Sequence, residues 1–273
     1  MRLARANLYI GAALVALIVG AGLLGLFWTP YDPLGVSIRA RFLPPGAAHW
    51  LGTDEFGRDV LSRLLAASAV SLRVSVITVA FAVAAGTVIG LAAGFFRGWV
   101  DRLLMMVNDA LLAFPGTLLA LGLVAVLGAN EDGIILALGI AYAPSVARVV
   151  RGSVLGLRER EFVEASRVLG NGEWFTLLRH VLPNCAAPII VLATSMLGLV
   201  MLSESALSFL GLGVPPPAAT WGNMLAAARP NLGTASWLGI FPGLAIAAAL
   251  LGFNLLGDAL RDWLDPRMAG GTS

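Results

Sequence analysis

The sequence has no lysine; all 18 of its basic residues are arginine. A phosphate-binding loop of the Walker A type needs a lysine at the β- and γ-phosphates, and a Schiff-base enzyme needs an amine, so neither chemistry is available. One cysteine, Cys185, excludes an intramolecular disulfide and a multi-thiolate metal site, and reads as a small residue packed in a helix. The two histidines, His49 and His180, stand far apart, and neither a Gly-x-Ser-Gly nor a His-Glu-x-x-His pattern occurs, which removes the membrane serine and zinc proteases. Charge itself is scarce. Only 12% of the 273 residues are charged, against about 25% in a soluble domain. With 58% hydrophobic residues and a mean hydropathy of +0.86, a soluble core could not hide so much apolar surface.

Apolar runs of 18 or more residues take the place of charge, and that length matches a hydrocarbon layer of roughly 30 Å. The runs are apolar on every face and longer than barrel strands, so the fold class is an all-α integral membrane protein. Six spans are expected, at 8–28, 71–96, 103–127, 134–150, 185–210 and 238–257. Arg2 and Arg5 precede the first, and Phe27-Trp28-Thr29-Pro30 ends it without a small-residue cleavage site. An uncleaved first span with its amino end in the cytoplasm fits better than a signal peptide. The alternating connections divide the arginines twelve to six. By the positive-inside rule the richer set, including Arg97, Arg148, Arg158, Arg167 and Arg261, is cytoplasmic, and so are both termini. Three regions follow: residues 1–28 with the first span, an external loop at 29–70, and a core of five spans at 71–273 with a cytoplasmic loop at 151–183.

Within the external loop, Val60, Leu61, Leu64, Leu65 and Ala69 share one helical face while Arg58, Asp59 and Arg63 occupy the other, so an interfacial helix is expected before Ser71. Asp54, Glu55, Arg58, Asp59 and, from a later outer segment, Trp221 are candidates for contact with an external partner. Gly86, Gly90 and Gly94 repeat every fourth residue in the second span, where they suit close packing against another helix or another subunit. Asp109 and Glu204 are acids inside apolar runs and must face protein or water. Each reads either as a carboxylate held by neighbouring helices or as a translocation-pathway or gating residue. Pro115 removes one ladder bond from the third span and predicts a kink at a plausible bending point.

The organising stretch is Arg148 to Pro183, the one long polar interruption. Phe162, Ala165, Ser166 and Leu169 recur at helical spacing among Glu159, Arg160, Glu161, Glu164 and Arg167, which predicts a short amphipathic helix ended by Gly170. Asn171 is expected to cap a second helix running through Trp174, Leu177, Leu178 and Val181 until Pro183 stops it. Two short helices at an angle make a knob that protrudes into the cytoplasm.

Glu164-Ala165-Ser166, Gly170 and Leu182-Pro183 resemble the EAA loop of the membrane subunits of ATP-binding-cassette importers, with Ser166 where a second Ala is usual and His180 where Ile often stands. Arg179 to Asn184, the run from His49 to Arg63, Ser203 to Gly213, Phe253 to Asp258, Asp262 and Asp265-Pro266-Arg267 are similar to the dipeptide, oligopeptide and nickel permeases within that family. Trp50 departs from that pattern, which commonly has Pro, and Ala69 from a common Arg. The resemblance implies a transport subunit, not an enzyme, in the cytoplasmic membrane of a prokaryote. It also implies a second homologous permease, two ATPase subunits and an extracytoplasmic substrate-binding protein, all working in membrane lipid without nucleic acid. The ATPase contact would fall on Glu161, Glu164, Ala165, Ser166, Leu169, Gly170 and Asn171. This chain would bind no cofactor, ATP and magnesium belonging to the ATPase subunits. The alternative is a stand-alone secondary transporter or channel, which would work without an ATPase.

Overall fold

Helices form where the long apolar runs demand internally satisfied backbone, and their ends are set by local chemistry. The computed structural model describes residues 2–264; the tail motif Asp265-Pro266-Arg267 lies outside the described residues. The chain builds α1 (Arg2–Phe27), α2 (Val60–Phe96), α3 (Gly98–Leu112), α4 (Gly116–Leu127), α5 (Glu131–Arg158), α6 (Glu161–Val168), α7 (Glu173–Thr176), α8 (Leu182–Asn184), α9 (Ala186–Phe209), α10 (Trp221–Ala228) and α11 (Trp237–Leu264). Asn130 caps α5 by accepting from the Gly133 amide at 2.9 Å, and Glu131 and Asp132 fill the first turn, where the helix dipole favours acids.

Side-chain pairs fix the direction of each span. Arg73 in the first half of α2 meets Glu131 at the start of α5 at 2.6 Å, and Arg158 at the end of α5 donates to the carbonyl of Phe95 at the end of α2. These two helices therefore run the same way, and the chain between them must return across the bundle. α3 and α4 make that return together. α3 follows α5 backwards, from Asp101 on Arg151 at 2.6 Å to Asn108 on the Pro144 carbonyl at 3.3 Å, and α4 carries on toward the start of α5. Close approaches at glycine give the remaining directions. Gly25 lies on the Leu65 carbonyl and Gly22 on Ala69, so α1 opposes α2; Gly11 lies on Leu256 and Gly252 on Leu14, so α11 opposes α1; Gly257 lies on Ser195 and Gly198 on Leu250, so α9 opposes α11.

Six crossings result, although among the described residues only five single helices are long and apolar enough to cross by themselves and the bent α3–α4 pair makes the sixth. The starts of α1 and α9 and the ends of α2, α5 and α11 share one end of the bundle, from which α6 to α8 project as the knob. Residues 28–59 and 210–236 share the opposite, loop end. α5 is the central span, its Leu138, Val146 and Val150 fully buried against α2, α4 and α9. A second cluster around Ile18, Met201, Trp221 and Phe253 joins α1, α9, α10 and α11. Leu17, Val88 and Val126 point outward, where lipid is as good a solvent as a protein core.

Several expectations are corrected. The interfacial helix and the second span are one unbroken 37-residue helix, α2, so no boundary falls at residue 70. Arg63 does not lie on a wet face; it is 7% exposed, with Nε 3.6 Å from Asp54 Oδ2 and Nη1 3.4 Å from the Pro33 carbonyl, so an acid supplied by the preceding turn lets the helix continue. The third span is not merely kinked at Pro115: α3 and α4 meet at 93° across 113–115, and α3 begins at Gly98. The fourth span runs from Glu131 to Arg158, so Arg148 and Arg151 are helical and the loop starts at Glu159. Their charges are tolerated because Asp109 and Asp101 on α3 pair with them. The sixth span reaches from Trp237 to Leu264.

Candidate functional site

The knob is built on a bend. α6 ends with Leu169, and Gly170 takes φ +79°, a left-handed conformation that lets the chain reverse without a Cβ penalty. Ser166 organises the bend. Its hydroxyl lies 2.9 Å from Thr176 Oγ1 and accepts from Asn171 Nδ2 at 3.2 Å, while its carbonyl accepts from the Asn171 amide at 3.2 Å. Asn171 therefore braces the turn and does not cap α7, whose N-cap is Gly172. Arg167 reaches across to Glu173 at 3.3 Å, tying the two arms together on the wet side.

Pro183 does not stop the second arm. Before it, residues Leu177–Val181 widen into a π turn in which the Leu182 amide bonds to the Leu177 carbonyl, and the chain continues through α8 to α9. The wider turn accommodates a proline whose ring would collide with an ordinary helical carbonyl. Cys185, fully buried, marks the join.

Of the residues expected to meet an ATPase, Glu161, Glu164, Ala165, Leu169 and Gly170 are exposed, Asn171 is half-buried, and Ser166 is buried as the brace. The buried face of α6 is Val163 and Ser166, so Phe162, Ala165 and Leu169 point outward, contrary to the side their spacing suggested. Val168 and Leu169 are about four-fifths exposed beside the glutamates, and Trp174 is nearly as open. A charged rim around projecting apolar groups is the composition of a protein contact.

Gly170→Val tests the bend separately from its surroundings. No atom lies within 4 Å of a Cβ built there, so the cost is backbone strain alone, about 1–2 kcal/mol. Transport is expected to fall several-fold while the subunit inserts normally; a fully active variant would show that the bend does not need its left-handed residue.

The other candidates are scattered. Asp109 is 62% exposed and paired with Arg148 at 2.7 Å near the knob end, and Pro115 sits at the 93° break. Glu204 is 1% exposed in α9; its Oε1 accepts from Ser208 at 2.7 Å, and Oε2 has no hydrogen-bonding partner among the described residues. At the loop end, Asp54 Oδ1 accepts from the amides of Phe56 and Arg58 at 2.9 Å and Oδ2 from Arg58 Nε at 2.7 Å. Asp59 caps α2 through Ser62 and holds His49 Nδ1 at 2.9 Å. Glu55 accepts from Asn231 at 3.1 Å, bringing the two loop-end segments together. Trp221 is buried; its amide donates to Ser71 Oγ and its indole N–H to the Leu64 carbonyl. Trp237 Nε1 reaches the Thr53 carbonyl at 3.2 Å. The acids and Trp221 are thus engaged within the chain, leaving Glu55 and Arg58 the more open members of that set. Periodicity had no means of finding these partners, which lie up to 184 residues apart.

Comparison with known proteins agrees with this layout. Residues 86–270 match the family model described as binding-protein-dependent transport system inner membrane component. The chain is 44% identical over 264 residues to a peptide transport system permease of Brucella suis, covering 97% of this chain and 89% of that one. It is 39% identical over 269 residues to a glutathione transport system permease of Pectobacterium atrosepticum, covering 98% and 89%. It is 43% identical over 228 residues to a dipeptide transport system permease of Alkalihalophilus pseudofirmus, covering 84% and 75%. With its six crossings and its bent knob, the chain belongs to the inner membrane components of binding-protein-dependent transport systems.

Proposed function

We propose that this chain is one membrane half of an ATP-driven importer for short peptides, and that the knob end faces the cytoplasm. The observation that carries the reading is the knob itself: a hydrogen-bonded bend that presents Glu161, Glu164 and Leu169 outward from a bundle with no nucleotide-binding loop of its own. An ATPase subunit gripping that surface would drive the spans between two packed arrangements, and differential contact in the two states is what such a switch requires. ATP and magnesium stay on the ATPase subunits, and this chain binds no cofactor. A second, homologous permease completes the pathway, with Asp109, Pro115 and Glu204 as its candidate residues here. A binding protein delivers solute at the loop end, where Glu55 and Arg58 are half-buried and the more open members of the expected contact set. Short peptides are the favoured cargo because the relatives are named for peptide, dipeptide and glutathione transport. By the same reading, the protein lies in a prokaryotic cytoplasmic membrane with both termini inside.

Two measurements test this. A cysteine placed at position 168, in a Cys185→Ser background, should react with an impermeant maleimide in inside-out vesicles and not in right-side-out ones. The importer reconstituted with its ATPase and binding-protein subunits should accumulate labelled dipeptide or glutathione only with ATP. Accumulation by the permease without ATPase subunits would overturn the reading in favour of a secondary transporter or channel.

A further inference from the structure

The knob is joined to the bundle by backbone on two sides, through Glu159 and Arg160 to α5 and through α8 to α9. It has no covalent link to α2, yet two of its side chains, together with Arg158 at the end of α5, hold the last turn of that helix. Phe95 is 1% exposed; the guanidiniums of Arg158 and Arg167 lie 5.9 and 5.6 Å from its ring centroid, and Arg158 also donates to its carbonyl. The ring of Phe96 meets Trp174 edge-on, with centroids 5.2 Å apart and planes at 63°. The three holders come from three places: Arg158 from the end of α5, Arg167 from α6 and Trp174 from α7. Immediately beyond, Arg97 takes φ +57° and Gly98 φ +61°, so α2 ends abruptly and its terminal carbonyls need outside donors.

Higher up, α2 packs directly on α5. Gly86, Gly90 and Gly94 bring its backbone onto Val146, Val150 and Val154, so the two parallel helices form one plate. A push delivered at the end of α2 is therefore carried along both helices. Ring-edge and cation–π contacts suit such a joint because they tolerate small rotations better than directional hydrogen bonds do.

We propose that Phe96 and Trp174, with Arg158 and Arg167 around Phe95, are positioning residues for transport: they form the joint through which displacement of the knob reaches α2. This rests on the reading of the knob as the ATPase contact, and adds that α2 receives the motion through side chains.

The test uses the complete importer, with ATPase and binding-protein subunits, in proteoliposomes. Spin labels at positions 17 on α1 and 88 on α2, both outward-facing, report α2 movement on addition of ATP and vanadate in a Cys185→Ser background. Phe96→Leu, on α2 and outside the knob's contact surface, should keep the ATPase subunits bound and hydrolysing. It should lose most of the ATP-dependent distance change, and labelled dipeptide accumulated per ATP should fall by about fivefold or more. Trp174→Ala should lose the same distance change, whereas Trp174→Phe, which keeps a ring against Phe96, should retain it. An undiminished distance change in both Trp174→Ala and Phe96→Leu would overturn the joint, as would loss of the ATPase subunits from Trp174→Ala, which would make Trp174 a docking residue. The parent reading fails differently: an Glu164→Arg complex that moves α2 normally would remove the knob from the coupling route whatever Trp174 does. A wild-type complex that moves α2 without importing dipeptide would reject only the cargo.

Discussion

Glu164→Arg is expected to reduce ATP-dependent uptake by about thirtyfold or more and to depress coupled ATP hydrolysis, with the subunit still present in the membrane at its normal level. Glu164 stands in the first turn of α6, exposed, and makes no ion pair among the described residues. Reversing its charge removes nothing from the bundle interior. Within the knob it sets a cation against the positive end of a short helix, a local cost of about 0.3–1 kcal/mol, too small to unfold the arm. At an interface the effect is larger, because a charged group at the centre of a contact is worth roughly 2 kcal/mol or more, and reversal adds repulsion to loss. The measurement is uptake and ATP hydrolysis by the reconstituted complex, alongside the amount of ATPase subunit that co-purifies. Wild-type uptake by a properly inserted Glu164→Arg subunit would remove the knob from the coupling route. Glu173→Gln is a useful comparison, since it breaks only the Arg167 bridge at 3.3 Å on the knob surface and should cost no more than about 1 kcal/mol.

The knob and the crossings were legible in the sequence because both are local patterns. A run of apolar residues announces a span wherever it lies, and Gly170 announces a reversal whatever surrounds it. The misreadings share a different cause: each depended on a partner remote in the chain or on a neighbour not described by periodicity. Arg63 looked like the polar face of a surface helix until Asp54 and the Pro33 carbonyl were seen to receive it. Arg148 and Arg151 looked like loop residues because their partners, Asp109 and Asp101, sit on α3. Asn171 has the chemistry of a cap, and its side chain took a nearer acceptor in Ser166. Pro183 is a helix breaker in isolation; a π turn one step earlier absorbs it. The 93° break also exceeds what one proline dictates, since α3 is held along α5 by two ion pairs while α4 follows its own apolar face.

Gly90→Val is expected to lower the accumulation of folded subunit several-fold or more. The glycine stripe of α2 could have served a contact between subunits, and it instead lies inside the chain against α5. A Cβ at Gly90 would stand 2.6 Å from the Ala147 carbonyl oxygen, 2.7 Å from Val150 Cβ and 3.0 Å from the Arg151 amide, and at Gly86 2.6 Å from the Ala143 carbonyl. Two of the three obstacles at Gly90 are backbone, which cannot turn aside as a side chain can, so the helices must separate. Overpacking of a fitted interior costs about 1–3 kcal/mol when side chains can shift, and more when they cannot. Separation would also cost the valine contacts along the rest of the seam. A loss of that size is enough to lower abundance several-fold. Gly152→Ala on α5 and Gly122→Ala on α4 supply the contrast, since nothing lies within 4 Å of a Cβ at either site and both should leave yield unchanged. Folded yield after detergent extraction and resistance to unfolding in mixed micelles measure the difference. If Gly90→Val folds like Gly152→Ala, α2 and α5 are not in backbone contact. The plate that would carry the knob's push to the loop end would then have no physical basis, even with the knob itself intact.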